Sequence, residues 1–399
     1  MKIGIIKEGK IPVDRRTPLT PTQAKEIIDT FPEVSIEVQK SEIRCFSDQD
    51  YADAGVAVVD NCDTCDVLLG VKEVPIDNLI PDKTYFFFSH TIKKQEYNKR
   101  LLQEILRKNI RLIDYETLAD KNGRVIAFGR WAGIVGAYNA IWAFGMRYQL
   151  FNIRRAHECF DLKDLKAELS DIQLPPLKIV VTGGGRVAKG AMEVLYALNL
   201  KKVTPAAFLS QEYTHPVFVQ LNSRDYHYHA DGDAFQKKEF FANPERFHGD
   251  FVKYTKPADI LIASAYWDPN APILFNRKHM TNGEFGVSVI ADITCDIEGS
   301  IPSTIRATTI DKPLYDYDAE TGTEQPALSD EANVTVMSVD NLPCELPRDA
   351  SDSFGRQMID NVLPSLVGED ADGIIQNATI AENGLLTKRY KYLEDFVKD

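Results

Sequence analysis

The chain has few cysteines for its length and no excess of basic residues. Six cysteines in 399 residues, with no signal segment visible at the start, indicate reduced thiols and predict a cytoplasmic protein. Lysine and arginine total 46 against 59 acidic residues, which gives a formal net charge of −13. Because nucleic acids and anionic membranes attract proteins through basic surfaces, this balance argues against both partners.

Long uninterrupted apolar runs are also missing. The longest apolar stretch, residues 125–145, contains Arg130 and small residues such as Gly133 and Gly136. This spacing favours a helix packed closely inside a globular protein over a membrane span. Hydrophobic residues make up 44% of the chain, which excludes disorder as its main state. A length of 399 residues suggests two to four domains.

Strand and helix patterns alternate along the first third of the chain. Short apolar runs at residues 2–6, 67–71, 85–88 and 110–113 predict buried strands. Thr20 followed by Pro21 predicts the start of a helix between the first two strands. This alternation predicts an α/β fold with a largely parallel sheet.

A second unit begins with an apolar strand at residues 177–181, which runs directly into a glycine-rich turn. Gly183, Gly185 and Ala188 match the dinucleotide fingerprint G-x-G-x-x-G/A. The first glycine permits the tight turn, the second lets the backbone approach a pyrophosphate, and the small third residue lets the helix pack on the strand. The turn therefore predicts a bound nicotinamide dinucleotide.

NAD-binding units usually carry an acidic residue about 20 positions after the glycines, where it binds the ribose hydroxyls. The corresponding strand is predicted at residues 203–210, which contain no acidic residue. This absence favours NADP over NAD. No arginine stands there either, so NAD remains an alternative.

Basic residues follow several predicted strands of the first unit. Arg16, Lys72, His90, Lys93 and Arg124 all lie in such loops or at a strand start. In an open α/β sheet, ligands bind at the carboxyl ends of strands, so these cations could form a carboxylate pocket with a proton-transfer pair. Solvated loop charges explain the same pattern, and from the pattern alone they are the preferred interpretation.

Two further clusters of metal-ligating residue types are present. His227 and His229, with Asp231 and Asp233 nearby, lie in a polar stretch at residues 211–250 that is predicted to be an insertion, and Cys62 and Cys65 form a lone C-x-x-C pair. Neither cluster has the further ligands that a metal site needs. The preferred interpretations are polar side chains on the protein surface for the first cluster and a coincidental cysteine pair for the second. No metal site is predicted.

A set of short stretches resembles one enzyme family closely. The resemblance is to the alanine dehydrogenase and transhydrogenase superfamily and, within it, to lysine-forming saccharopine dehydrogenase, including the lysine–2-oxoglutarate reductase half of the bifunctional animal and plant enzyme. It covers nearly the whole chain. The matching stretches are residues 7–8, 14–21, 71–75, 87–93, 110–116, 127–133, 187–191, 292–296, 338–343 and 383–392.

The resemblance implies an activity and the residues that perform it. Lysine and 2-oxoglutarate would condense to an imine, which a reduced nicotinamide would convert to saccharopine, and the reverse reaction would release lysine. Lys72 and His90 match the family's acid/base pair. The substrate-binding positions are Arg16, Lys93, Gln95, Arg124 and Phe128, and the cofactor-binding positions are Gly183, Gly185, Arg186, Val187, Ala188, Tyr266, Thr294, Asp296, Val339, Asp340, Asn341 and Leu342.

The resemblance also implies two Rossmann-like domains with parallel sheets, the second inserted into the first, and an active site in the cleft between them. The substrate domain is predicted at residues 1–129 plus 333–399, and the dinucleotide domain at residues 130–332. An alanine-type dehydrogenase and a dehydrogenase of another amine–2-oxo acid pair are alternatives within the class. A cofactor-binding protein without catalysis is an alternative outside it. The partners expected are small-molecule substrates, and the oligomeric state stays open.

Overall fold

The structure is a computed structural model that describes residues 1–398. The chain forms two compact units, of which the first comprises Met1–Phe128 with Pro347–Asp399 and the second comprises Gly129–Leu346. The chain returns to the first unit at Pro347, later than the predicted residue 333. The reason is that Val334–Met337 is a strand that pairs inside the second unit's sheet.

The first segment of unit one alternates strands and helices. Thr20 caps the first helix by accepting a hydrogen bond from the Gln23 backbone, and Pro21 is its first residue, which confirms the predicted helix start. The elements are β1 (Lys2–Ile5), α1 (Pro21–Thr30), β2 (Ser35–Gln39), α2 (Asp48–Asp53), β3 (Ala57–Val59), β4 (Val67–Leu69), β5 (Thr84–Phe87), α3 (Lys99–Arg107), β6 (Arg111–Asp114), β7 (Ala119–Asp120) and β8 (Gly123–Arg124).

Unit two follows the same α/β pattern. Its elements are α4 (Gly129–Arg147), α5 (Leu162–Leu169), β9 (Lys178–Thr182), α6 (Arg186–Ala197), β10 (Lys201–Val203), α7 (Pro205–Ser210), β11 (Val217–Leu221), α8 (Ser223–Tyr226), β12 (His227–His229), α9 (Lys237–Ala242), β13 (Phe247–Gly249), β14 (Ile260–Ala263), α10 (Arg277–Met280), β15 (Val289–Asp292), β16 (Leu314–Asp318), β17 (Thr323–Gln325) and β18 (Val334–Met337).

The last segment completes unit one with α11 (Pro347–Asn361), α12 (Leu363–Val367), α13 (Ile374–Ala378), β19 (Thr379–Glu382), β20 (Leu385–Leu386) and α14 (Glu394–Val397). Short 3₁₀ helices connect the larger elements in both units, at Ile76–Asn78, Thr91–Lys93, Glu96–Asn98, Ala156–Glu158, Pro244–Arg246, Val252–Tyr254, Leu342–Glu345 and Lys388–Leu393.

The sheet of unit one has the strand order β20-β19-β6-β5-β4-β1-β2-β3. The six strands from β6 to β3 are parallel, while β19 and β20 run antiparallel. The predicted α/β fold with mostly parallel sheets is therefore confirmed. Because β1, β4, β5 and β6 are parallel and lie side by side, the residues that follow them meet at one edge of the sheet.

The sheet of unit two has the order β10-β11-β9-β14-β15-β18-β16-β17. Strand β11 lies next to the glycine-turn strand β9 and runs parallel to it. The sequence prediction was therefore wrong at two points. Residues 205–210 form helix α7 rather than the strand that would carry a ribose-binding acid, and the proposed insertion at 211–250 contains a core strand, because Val217, Phe218, Val219 and Leu221 are fully buried.

Helices α4 and α6 of unit two pack with their backbones in direct contact. A Cβ atom on Gly133 would overlap the Val187 carbonyl oxygen, and one on Gly190 would overlap that of Arg130. The small residues of the longest apolar stretch thus serve helix packing, as predicted. Among the described residues, no helix is both long and apolar enough to cross a membrane.

Candidate active site

The predicted acid/base residues lie at the carboxyl edge of the unit-one sheet. Lys72 comes three residues after β4, and His90 comes three residues after the neighbouring strand β5. Glu8 follows β1 and Glu116 follows β6 at the same edge. Four ionisable side chains from sequence-distant loops are therefore gathered along adjacent parallel strands, where open α/β sheets bind ligands.

His90 is held by a carboxylate that also binds a lysine. Its Nδ1 lies 2.7 Å from Glu73 Oε1, and Lys10 Nζ lies 2.7 Å from Glu73 Oε2. Burial raises the pKa of Glu73, but the hydrogen bonds from His90 and Lys10 outweigh it and hold the pKa at about 2. An ionised Glu73 accepts a hydrogen bond from the Nδ1–H group of His90. This arrangement leaves Nε2 of His90 to exchange a proton with a substrate.

Lys72 stands in an environment that disfavours its charged form. Burial lowers the pKa of its ammonium group, and the nearby positive charge of Arg16 lowers it further. A lysine with a lowered pKa can take up and release a proton nearer neutral pH than a solvated one.

Glu8 fixes the backbone that carries Lys72. Its two carboxylate oxygens accept hydrogen bonds from the backbone N–H of Val71 at 2.7 Å and of Lys72 at 2.9 Å. Burial raises the pKa of Glu8 to about 8, with the charge of Asp14 adding to the rise and the two backbone donors opposing it. Glu8 therefore anchors the end of β4 from within the protein.

Arg16 is buried and tightly paired. Its Nε donates to Asp14 Oδ1 at 3.0 Å, and its Nη2 donates to Asp14 Oδ2 at 2.5 Å. Its guanidinium lies 4.2 Å from the centre of the Phe128 ring, which faces it as a cation–π partner. Both Arg16 and Phe128 were predicted substrate-binding residues, and they are brought together.

Arg124 repeats this arrangement on a neighbouring ring. Its guanidinium lies 5.3 Å from the Phe88 ring centre, and its Nε donates to the Ile126 carbonyl at 2.8 Å. Phe88 and Phe128 have ring centres 5.9 Å apart, and Phe128 stacks on Phe354 at 4.5 Å. Two guanidinium groups are thus held against one aromatic cluster, which suits the binding of a substrate with several carboxylates.

Lys93 and Gln95 are less closely integrated. Lys93 Nζ lies 3.4 Å from Glu116 Oε1, with its side chain about half exposed. Gln95 is exposed, and its amide oxygen accepts a hydrogen bond from the Tyr97 hydroxyl at 3.0 Å. Lys93 is the last residue of the 3₁₀ helix that follows His90. Gln95 lies two residues after that helix.

Sequence reasoning missed four residues that hold this site together: Glu8, Lys10, Asp14 and Asp114. Asp14 stands two positions before Arg16, so a local ion pair could have been anticipated from spacing. Lys10 and Glu73 are 63 positions apart, and so are Glu8 and Val71. No periodicity or motif links such distant positions, because only the parallel pairing of the strands brings them together.

The glycine turn of unit two fits a dinucleotide. Gly183 has a φ of +92°, and a Cβ there would lie 3.1 Å from the Ala265 Cα. Gly185 precedes α6 as its N-cap without any side-chain cap, and a Cβ there would meet nothing within 4 Å. The first-turn N–H groups of Arg186, Val187 and Ala188 therefore lie at a helix start with open space before them, which is the geometry that binds a pyrophosphate.

The other predicted cofactor residues follow strands β14, β15 and β18, which run parallel to β9 on one side of it in the unit-two sheet. Tyr266 follows β14 and is strongly exposed. Thr294 and Asp296 follow β15, and Thr294 Oγ1 donates to Asp292 Oδ1 at 2.7 Å. The loop that contains Val339, Asp340, Asn341 and Leu342 follows β18. Because β9, β14, β15 and β18 are parallel, these loops share the carboxyl edge with the glycine turn.

The two histidines interpreted as surface residues are buried. His227 packs against Phe240 with ring centres 4.5 Å apart, and burial lowers its pKa to about 4. His229 accepts a hydrogen bond from the Asp231 backbone at 3.1 Å. Cys62 and Cys65 are also buried. Within residues 1–398, no group of three or more histidine, cysteine, aspartate or glutamate side chains is arranged to hold a metal ion.

Comparison with known proteins decides the family. The model of the alanine dehydrogenase/PNT N-terminal domain matches residues 4–135, and the model of the C-terminal domain matches residues 167–394. The chain belongs to the alanine dehydrogenase/PNT family. The resemblance stated from short motifs is thereby confirmed.

Relatives within the family are similar over most of the chain. The chain is 33% identical to the mitochondrial alpha-aminoadipic semialdehyde synthase of Bos taurus, over 96% of this chain and 46% of that protein. It is 27% identical to the saccharopine dehydrogenase [NAD(+), L-lysine-forming] of Emericella nidulans, over 91% of each chain. The chain spans about half the length of the synthases that it matches.

Solved structures agree on the fold. An L-alanine dehydrogenase covers 99% of both chains with a TM-score of 0.63 and 17% identity. A transhydrogenase from Sinorhizobium meliloti covers 97% of this chain and 100% of its own with a TM-score of 0.62 and 16% identity. At these identities the likeness establishes the architecture alone.

Proposed function

We propose that the chain catalyses the interconversion of saccharopine with L-lysine and 2-oxoglutarate by hydride transfer to or from a nicotinamide dinucleotide. The observation that carries this proposal is the pairing of His90 with Glu73, the residue next to Lys72, in a unit that also holds two guanidinium groups against aromatic rings. Similarity to a lysine-forming saccharopine dehydrogenase over 91% of both chains supports the choice of substrates.

In the direction of saccharopine formation, the lysine ε-amine attacks the ketone carbon of 2-oxoglutarate, and loss of water gives an imine. The amine must lose a proton and the departing oxygen must gain protons, so the reaction needs two groups that can release and take up a proton. Lys72, with its lowered pKa, and His90, with Nδ1 tied to Glu73, supply such a pair. Hydride addition to the imine carbon then yields the secondary amine.

The negative charge of the substrate gives Arg16 and Arg124 a role in binding. Saccharopine carries three carboxylates, and a planar guanidinium binds a carboxylate through paired hydrogen bonds better than an ammonium does. Arg16 and Arg124 are braced by Phe128 and Phe88, so their orientations are preset. Lys93, half exposed near Glu116, provides a third cation for the same purpose.

The dinucleotide, when bound, supplies or accepts the hydride. Gly183 and Gly185 allow its pyrophosphate to approach the start of α6. The loops along the same edge of the sheet contain Tyr266, Thr294, Asp296 and residues 339–342. The predicted active site in a cleft between the two domains stays a prediction.

The assay that tests this proposal measures oxidation of NADPH and NADH with a panel of amines and 2-oxo acids. Turnover that requires both lysine and 2-oxoglutarate is expected, because the site provides cations for a large multi-carboxylate product. Turnover with pyruvate and ammonia but not with lysine and 2-oxoglutarate would make the protein an alanine-type dehydrogenase. Cofactor binding without any turnover would indicate a protein that has lost catalysis.

We further propose that NADP is the preferred cofactor. In this fold the residue after the strand that neighbours the glycine-turn strand binds the ribose hydroxyls. That strand is β11, and Asn222, Ser223 and Arg224 follow it, with no carboxylate before Asp225. The Asp225 carboxylate already accepts the Asn222 backbone N–H at 2.7 Å, which caps α8.

A surface pocket of about 370 Å³ lies beside the glycine turn and suits a phosphate. Its polar lining consists of Lys202, Arg224, Thr204, Gln220, Asn222 and the single carboxylate of Asp225. Lys202 Nζ donates to Gln220 Oε1 at 2.6 Å, and Gln220 Nε2 donates to the Gly183 carbonyl at 2.9 Å. Two cations thus flank the position where a ribose 2′-phosphate would extend. Comparing kcat/KM for NADPH and NADH tests this preference, and a clear advantage for NADH would contradict it.

A further inference from the structure

We infer that Asp114 is a positioning residue for His90. Asp114 ends β6, is completely buried, and pairs in register with Phe87 at the end of β5. It reaches across to the loop that carries His90, yet it has no exposed surface with which to touch a substrate. This inference rests on the proposed function, in which His90 transfers protons.

Asp114 anchors the residue before His90 by two hydrogen bonds. Its Oδ2 accepts the Ser89 backbone N–H at 3.1 Å and also accepts the Ser89 hydroxyl. The same hydroxyl oxygen lies 2.8 Å from Thr91 Oγ1 and accepts the Thr91 backbone N–H at 3.3 Å. One carboxylate, through Ser89, therefore ties down the backbone on both sides of His90.

This anchoring matters because His90 is in an unfavourable conformation. Its φ of 53° and ψ of 9° lie in the left-handed region, which non-glycine residues rarely occupy. Relaxation to the right-handed region would move the imidazole away from Glu73 Oε1 and from its stacked position beside Phe88. The fixed flanking residues keep the ring where Nδ1 meets Glu73.

The second oxygen of Asp114 serves the other side of the site. Asp114 Oδ1 accepts the Glu116 backbone N–H at 2.7 Å, and Glu116 is the carboxylate nearest Lys93. Burial raises the pKa of Asp114, while its bonds from Ser89 and Glu116 favour the ionised form. A single buried group therefore orients the proposed acid/base histidine and the carboxylate beside a substrate-binding lysine.

The test replaces Asp114 by asparagine, which preserves size but turns one acceptor into a donor facing the Ser89 N–H. In Asp114→Asn, kcat for lysine plus 2-oxoglutarate is expected to fall at least tenfold, with the Kd of the reduced cofactor unchanged within twofold. In Ser89→Ala, which keeps the backbone donors, kcat is expected to fall less than in Asp114→Asn. In the double variant, the fold-decrease in kcat is expected to be smaller than the product of the two single-variant decreases, because both substitutions act through the same hydrogen bond.

Tyr85→Phe is the matched structural control. Tyr85 lies on β5, is buried, and accepts the Ile80 backbone N–H at 2.8 Å through its hydroxyl, far along the strand from His90. Its loss removes one buried hydrogen bond from the same strand and is expected to lower Tm while leaving kcat within twofold. Equal kcat in Asp114→Asn and Tyr85→Phe would overturn the inference.

A spectroscopic readout keeps the inference testable without turnover. In ¹⁵N-histidine-labelled protein, with the His90 signal assigned from His90→Asn, the wild type is expected to show protonated, hydrogen-bonded Nδ1. In Asp114→Asn a mixture of tautomers is expected, and an unchanged signal would contradict the inference. If the wild type lacks turnover but the signal changes as expected, the proposed function fails while the positioning role stands.

Discussion

The two units build their sites by different means. In unit two, the proposed cofactor site depends on backbone conformation within one short segment, where Gly183 and Gly185 shape a turn before α6. In unit one, the site depends on side chains such as Lys10 and Glu73 that are 63 positions apart in sequence. The comparison teaches that the proposed cofactor site is encoded within one local segment, whereas the proposed acid/base site requires the assembled sheet.

The largest expected effect concerns Lys72. Lys72→Met removes one of the two proposed proton-transfer groups, so kcat/KM for lysine plus 2-oxoglutarate is expected to fall between about 10³- and 10⁴-fold. The dissociation constant of the reduced cofactor is expected to stay within twofold, because the glycine turn belongs to the other unit. Lys25→Met, at a half-exposed position of helix α1 in the same unit, is the matched control. Steady-state rates and fluorescence titration measure the two quantities.

The next effect is the pH dependence of stability that Glu8 confers. Burial raises its folded-state pKa to about 8, above the unfolded value of 4.5. Its stabilising contribution is therefore complete below about pH 4.5 and is lost as the pH rises towards 8, by an amount on the order of 4 kcal/mol. In Glu8→Gln this decline should disappear. Urea unfolding between pH 5 and 8 measures it, and parallel curves for both proteins would contradict it.

A glycine exchange separates binding from folding in unit two. Gly185→Val places a side chain in the open space before α6, so cofactor affinity should fall roughly 100-fold while Tm changes little. Gly133→Ala is the counterpart, because its Cβ would overlap the Val187 carbonyl in the α4–α6 contact and should lower Tm. Thermal unfolding with cofactor titration distinguishes the two. A Gly185→Val protein with native affinity would refute the proposed pyrophosphate position.

The smallest expected effect concerns cofactor choice. Arg224→Ala removes one of two cations from the pocket beside the glycine turn, so the Kd of NADPH should rise about tenfold, which corresponds to about 1.4 kcal/mol. The Kd of NADH, which lacks the 2′-phosphate, should not change. Equal losses for both cofactors would show that Arg224 does not contact the phosphate.

The same contrast explains how much the sequence could reveal. The start of α1 at Thr20 and Pro21, the glycine turn and the small-residue helix follow from local chemistry, and the structure has all three. The position of β11 could not be read from residue order, because the strand beside β9 comes after β10 and α7 in the chain. The later return at Pro347 was missed for a similar reason, since only pairing assigns β18 to the second sheet.

The site residues divide in the same way. Lys72, His90, Arg16 and Arg124 were predicted because basic residues after strands point to an anion site and because short motifs resemble the family. Asp114 and Glu8 lie in stretches that match the family, but neither belongs to the pattern of basic residues and neither was assigned a role. Each is an acidic residue within or after an apolar strand, and its role depends on backbone donors contributed by a neighbouring strand's loop.

The central claim is that this chain joins lysine and 2-oxoglutarate by reducing their imine. The most direct measurement follows the label from the reduced nicotinamide, deuterated at the transferable position, into products identified by mass spectrometry. Singly deuterated saccharopine is expected, formed only when both lysine and 2-oxoglutarate are present and formed far more slowly with Lys72→Met. Deuterium that enters alanine from pyruvate and ammonia, with none in saccharopine, would contradict it.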